Sequence, residues 1–271
     1  MRGRRPARVL RDATKRLHPG RSGVVLAYHD IVADSATVYP YAVRESTFRH
    51  QLDVLDAVGL RPVTLAEFTD RLTAGDASGL AAIVFDDALV GVHRFALPTL
   101  VERRIPWTLL PVTERTGIEP PWWPEASRTM NRAEIDEALT AGASLCAHTA
   151  THRSLTELST GEALDDLRRS RDTLSDWAGT AIHELCYPFG HQDERVRQIA
   201  SEAGFRVGYT FTNGRNAPHT DLFAQPRLAM HEELRSTRWL TTLMRPGHTW
   251  PPVRDLRMDR DDAPDRLGDA T

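Results

Sequence analysis

Two carboxylates stand side by side at the end of an apolar run, AAIVF (81–85) followed by Asp86 and Asp87. Adjacent carboxylates repel each other unless a proton or a cation intervenes. Neighbouring side chains on a strand point to opposite faces, so one acid can hold a metal while the other faces a substrate water. The plainer alternative is a helix N-cap followed by an acid in the first turn, where the helix dipole favours negative charge. A second cluster, HTATH (148–152), sets His148 and His152 four apart. That spacing predicts both rings on one face of a helical turn, able to reach one ion. Two surface histidines, out of eleven in the chain, are the alternative. One aspartate and two imidazoles leave coordination positions open for water, which is the make-up of a catalytic metal site.

The elements that carry these residues alternate between short apolar runs and helical patterns. Strands are predicted at Gly23–Tyr28, Arg61–Leu65, Ala81–Phe85, Trp107–Val112, Ala143–Ala147, Ile182–Tyr187 and Arg206–Phe211. Helices are predicted at Thr47–Val58, Leu65–Leu72, Val92–Arg103, Asn131–Thr140, Thr160–Trp177, Asp193–Ala203 and Thr237–Met244. About seven strand–helix units of this kind imply a parallel sheet with helical crossovers, either closed as a barrel or open and doubly wound. The polar interruptions all follow strands: His29 and Asp30, Asp86 and Asp87, His148, and Pro188 to Gly190. In α/β folds the site lies at the carboxyl ends of the strands, so four separate segments point at one mouth. The Pro-rich loop 117–130, with Trp122 and Trp123, leaves a strand on the same side; its indoles suit stacking on sugar rings, with packing onto the barrel as the alternative.

Composition bounds the rest. The 271 residues, 41% hydrophobic and 26% charged, fit one soluble domain and not a long disordered chain. A formal charge of −3 argues against binding nucleic acid through global charge. Two cysteines, Cys146 and Cys186, exclude a four-cysteine zinc site. No apolar stretch approaches the ~20 residues that span a bilayer, and no secretory signal is read at the start, so a cytoplasmic location is expected. Residues 1–22 form a basic arm whose apolar residues fall at near-helical spacing; contact with an anionic membrane surface at the inner face is one reading, a solvated terminal arm the plainer one. Residues 246–271, rich in Pro, Asp and Arg, are expected to be a flexible tail. The catalytic domain is thus expected over 23–245.

VFDDA (84–88), AHTATH (147–152) and CYPFG (186–190) resemble, in order and spacing, the successive motifs of the polysaccharide deacetylase family, also called the NodB-homology family or carbohydrate esterase family 4. LAYHD (26–30) resembles the opening strand of the branch that includes exopolysaccharide N-deacetylases, and the likeness extends from about residue 24 to 244. The resemblance implies a single-domain distorted (β/α)7-type barrel and a divalent metal, usually zinc. It assigns Asp87, His148 and His152 to the metal and Asp86 as general base for a water activated on that metal. A backbone N–H near Phe189 would hold the oxyanion. His231, in PRLAMHEE, is the only nearby match to the late histidine that protonates the leaving amine; a surface histidine is the alternative. His29, Trp122, Trp123 and Tyr187 are the candidate substrate-binding residues. The implied activity is removal of an N-acetyl group from an N-acetylated sugar or glycan.

The chain also departs from the family pattern. Ala88 replaces the usual glycine after the two acids. Cys186 replaces the arginine that holds the base aspartate, so Asp86 is expected to lack its usual partner. Two other readings therefore stay open: hydrolysis of another non-peptide C–N or ester bond, and a degenerate sugar-binding module without catalysis. Cys146 and His148, two apart, share a strand face; a thiolate ligand is conceivable there, a small buried cysteine commoner.

Overall fold

Every residue of the strand Leu80–Asp86 is buried, as expected of a strand flanked on both edges and covered on both faces. This strand, β5, is the axis of the fold. The structure is a computed structural model and describes residues 21–234. The expected tail, the helix Thr237–Met244 and all but the last two residues of the basic arm lie outside the described residues.

Strand β1 (Val24–Tyr28) pairs with β5 along its whole length, and β6 (Trp107–Leu110) and β4 (Arg61–Val63) share the other edge of β5. From β6 the pairing passes to β7 (Ala143–Leu145). A single parallel bridge, Ala147 to Leu185, then reaches β8 (Glu184–Cys186), which pairs with β9 (Val207–Tyr209). A second parallel bridge joins Tyr209 to Gln225. Three residues later the chain enters β10 (Leu228–Ala229), which pairs with the free edge of β1. Ladders and bridges together link the strands in a ring, all parallel: the distorted (β/α)7-type barrel. An additional pair, β2 (Asp30–Val32) with β3 (Ala42–Arg44), stands outside the ring and has no counterpart in the predicted strands.

Helices cover the outside, and four of the six begin at a side-chain cap. They are α1 (Glu45–Ala57), α2 (Leu65–Thr73), α3 (Leu97–Arg103), α4 (Arg132–Thr140), α5 (Thr160–Ala178) and α6 (Glu194–Glu202). Asn131 with Glu134 and Ser159 with Glu162 form reciprocal capping boxes at α4 and α5. Asp193 accepts from the Val196 N–H, 2.7 Å, at α6. The predicted helix Val92–Arg103 divides instead into a π-turn, Val92–Ala96, and α3. Pro98 has no N–H and its ring crowds the preceding turn, so the ladder widens just ahead of it.

The core has two layers. Leu26, Ile83, Phe85, Leu109 and Leu185 pack outward against Phe48, Leu52, Leu100, Ile135 and Leu167 of the helices. The alternate strand positions, Val25, Ala27, Ala82, Val84, Leu110, Cys146, Cys186 and Tyr209, fill the interior. Phe68 and Leu72 of α2 join this inner layer. Phe68 closes against Gly23 at the start of β1, where a Cβ would lie 2.5 Å from the Phe68 ring, so only glycine fits. The amino end of the ring is thereby filled, and the polar residues stand at the other end.

Candidate active site

By alternation with Ala82 and Val84, Asp86 faces the barrel interior. The backbone then turns through two left-handed residues, Asp87 (φ 63°) and Ala88 (φ 51°). Each costs roughly 1–3 kcal/mol in a residue with a side chain, strain of the kind held at functional sites. Ala88 adopts the left-handed turn although a Cβ is present. Asp87 is thereby turned out of strand alternation and toward the loop that follows β7.

That loop is not the helical turn predicted from the four-residue spacing. Thr149 (φ 68°) and His152 (φ 61°) are both left-handed, and 148–152 is irregular. The Thr149 hydroxyl accepts the His152 N–H at 3.0 Å. His148 continues the interior face of Cys146, and its Nδ1 lies 2.8 Å from the Cys186 carbonyl oxygen. A carbonyl can only accept, so Nδ1 carries the proton and Nε2 is left with a free lone pair.

The three side chains converge. Asp87 Oδ1 lies 3.1 Å from His152 Nε2 and 3.6 Å from His148 Nε2, and all three residues are buried. One donor atom from each falls within 4.8 Å of the others. Asp87 Oδ1 meets no hydrogen-bond geometry despite these neighbours. Ligands about 2.1 Å from a tetrahedral ion stand about 3.4 Å apart, so the observed separations and the orphaned oxygen fit a divalent cation. Burial pushes His148 down to about 4, which leaves a neutral imidazole at pH 7. Burial also works to raise Asp87, but His152 and His148 outweigh it and hold the carboxyl well below the usual carboxylate range.

Asp86 has a partner, contrary to the expectation drawn from Cys186. Arg227 Nη1 donates to Asp86 Oδ1 at 2.7 Å, and the Arg227 side chain is 1% exposed. The guanidinium is held by a second bond, Nε to the Thr210 carbonyl at 2.8 Å, and lies over the Phe211 ring. It enters from the segment closing the ring on β1, not from the strand that bears Cys186. Cys186 instead fills the interior beside Cys146, with sulfurs 3.7 Å apart. Burial works to raise Asp86, and Arg227, then His29 and His148, overcome it; the net direction is downward. The other oxygen, Oδ2, faces His29 Nε2 at 3.7 Å.

Aromatic rings wall this mouth. Trp122 stacks on His152, ring centres 4.1 Å apart and 20° between planes, and Phe189 meets the same imidazole edge-on at 4.7 Å. His29 contacts Tyr41, Trp123 and Phe211 at 5.0–5.5 Å. Phe189 is left-handed (φ 58°) within the turn Pro188–Gly190. His29, Trp122, Trp123 and Phe189 thus gather around the acid and histidine cluster. The other two predicted residues make different contacts. Tyr187 is fully buried in the outer layer, with its hydroxyl donating to the Phe223 carbonyl at 3.1 Å. The His231 ring is paired with the exposed Glu233, 2.7 Å from Nδ1 to the carboxylate. Arg227, Tyr41 and Phe211 were not singled out from sequence. The available signal for Arg227 was an arginine set directly between Pro226 and the apolar Leu-Ala-Met.

Comparison with known proteins agrees with this fold. A sequence model described as polysaccharide deacetylase matches residues 75–208. No curated protein sequence matches the chain. Among solved structures, the fold is similar to the Streptococcus pyogenes deacetylase PplD in complex with acetate, at 21% identity and TM-score 0.72, covering 84% of this chain and 100% of that one. IcaB from Ammonifex degensii is 26% identical, with TM-score 0.69 and coverage of 83% and 97%. A de-N-acetylase from Aggregatibacter actinomycetemcomitans shares 14% identity at TM-score 0.67, over 80% and 98%.

Proposed function

The chain belongs to the polysaccharide deacetylase family, hydrolases of non-peptide carbon–nitrogen bonds, and on that footing we propose that it removes the acetyl group from an N-acetylated sugar or glycan with the help of a divalent metal. The observation that carries the reading is the convergence of Asp87, His148 and His152 beside an Asp86 kept ionised by Arg227. One carboxylate oxygen and two imidazole nitrogens suit zinc. When bound, such an ion polarises a carbonyl and makes nearby water more acidic.

The chain's own groups divide the remaining work. Asp86 takes a proton from the attacking water, and Arg227 keeps it in the basic form that this requires. The developing oxyanion is met by the Phe189 backbone N–H; the Gly190 and His191 amides that follow are spent on the Tyr187 and Pro188 carbonyls. The departing amine needs a proton. The 3.7 Å separation from Asp86 supports His29 as the group that passes it on; the Glu233 pairing of His231 gives that residue less support. Trp122, Trp123 and Tyr41 offer flat apolar faces to a sugar ring. The reading of a binding module without catalysis drew on Cys186 in place of an arginine and on the weak match at His231, and the Arg227–Asp86 pair removes the first of these grounds.

The test is acetate release from N-acetylated oligosaccharides by protein stripped with chelator and reloaded with Zn2+ or Co2+, with an O-acetyl ester in parallel. Asp87→Asn is expected to lose metal and turnover together. Asp86→Asn is expected to keep stoichiometric metal and lose turnover by at least 100-fold, within the usual range for a general base. Stoichiometric zinc in an inert wild-type protein would defeat the proposal.

A further inference from the structure

Asp166 lies in α5, is 3% exposed, and forms no ion pair among the described residues. A buried carboxylate is retained at a penalty unless its hydrogen bonds compensate. Both of its oxygens are given to the loop that carries the two histidines. Oδ1 accepts the Ala150 N–H at 2.6 Å, and Oδ2 accepts the Thr151 hydroxyl at 2.5 Å. Ala150 is itself fully buried, so its amide has no access to water in place of that bond. The two residues gripped lie between Thr149 and His152, the left-handed residues of this loop. On the opposite side the loop is held by the Thr113 and Glu114 amides, which donate to the Thr149 and Ala150 carbonyls.

We infer that Asp166 is a positioning residue: by clamping Ala150 and Thr151 it fixes the backbone from which His152 projects, and so sets the affinity of the Asp87–His148–His152 centre for its metal. This rests on the reading of those three residues as metal ligands. The clamp is a matter of shape more than charge. An asparagine at 166 still accepts the Ala150 N–H, and the Thr151 hydroxyl can rotate to accept from its amide.

Dissociation constants for Zn2+ and Co2+, from competition with a chromophoric chelator, test this alongside the thermal midpoint of the metal-free protein. Asp166→Ala is expected to weaken both metals by about 10- to 100-fold, as loss of groups behind a ligand does. The Co2+ visible spectrum at saturation should change with it, because His152 is no longer held at one angle. Asp166→Asn is expected to restore most of the affinity. Thr151→Val removes only one bond at a partly exposed position, keeps the assay open if Asp166→Ala fails to fold, and is expected to weaken binding several-fold. Unchanged affinities and Co2+ spectrum in Asp166→Ala, or in Thr151→Val where the alanine variant does not fold, overturn the inference while leaving the metal reading intact. A wild-type protein that binds neither metal overturns both.

Discussion

Replacing Arg227 by methionine separates the two kinds of work assigned to it. The side chain is 1% exposed and its partner Asp86 3% exposed, so solvent screens neither charge. Removing one partner of a buried pair leaves the other charge uncompensated, at about 3–5 kcal/mol. In a domain of this size that lowers the melting temperature on the order of 10 °C. The sign with pH is fixed by Asp86. With Arg227 present its folded pKa is depressed, so its contribution is present above the unfolded pKa and is lost as pH falls through the folded one. Without Arg227 burial prevails and the folded pKa rises, so the variant loses stability as pH rises above the unfolded value. The stability gap between the two proteins should therefore widen from acid to neutral pH and then level off. Denaturant unfolding of the metal-free proteins at several pH values measures it. Acetate release should show the acid limb of kcat/KM displaced to higher pH, with metal content unchanged. Arg227→Lys keeps a charge but not both directed bonds, to Asp86 and to the Thr210 carbonyl, and should fall between. A stability gap below about 1 kcal/mol at neutral pH, with the acid limb unmoved, would refute the assignment of Arg227 as the countercharge of the base.

Two further outcomes follow from the geometry. His29→Gln is expected to lower kcat by at least 100-fold with zinc content unchanged, whereas His231→Gln should stay within about threefold of wild type, given the usual size of acid–base contributions; the reverse ranking in acetate-release kinetics would return the proton-donor role to His231. Burial holds His148 down to about 4 against an ordinary 6.5. The unfolded chain therefore binds the extra proton between those values, and the metal-free protein should lose up to about 3 kcal/mol as pH falls across that window. Chemical unfolding of metal-free wild type against His148→Gln isolates this slope, and parallel curves would show that the imidazole titrates normally.

Much of the fold was legible because local signals agreed with it. AAIVF reads as a strand covered on both faces, and the pairs Asn131–Glu134 and Ser159–Glu162 mark helix starts that the structure uses. The pair Asp86–Asp87 and the histidines His148 and His152 could be singled out by type and spacing, and the family resemblance pointed to Asp87 as the ligand of the two acids. The means by which the two histidines meet could not, because four-residue spacing suggests a helical turn while the loop uses left-handed Thr149 and His152. Positive φ at residues other than glycine leaves no compositional trace. The same holds at Asp87 and Ala88. Arg227 was hidden for a different reason. The strand it precedes is two residues long, and in a chain whose basic residues are nearly all arginine its place between Pro226 and Leu-Ala-Met is only a faint sign of burial. The β2–β3 pair was not read from the sequence.

Closure of the ring by β10 has a consequence for the order in which the enzyme matures. During translation the acids and histidines leave the ribosome well before Gln225 to Ala229, the residues that seal β1 and deliver the guanidinium. A nascent or truncated polypeptide ending before this segment carries Asp87, His148 and His152, yet Asp86 has no countercharge and β1 keeps an unpaired edge. On the proposed mechanism, hydrolytic competence waits for the last strand to dock, and until then the open seam leaves the chain exposed to mispairing and proteolysis.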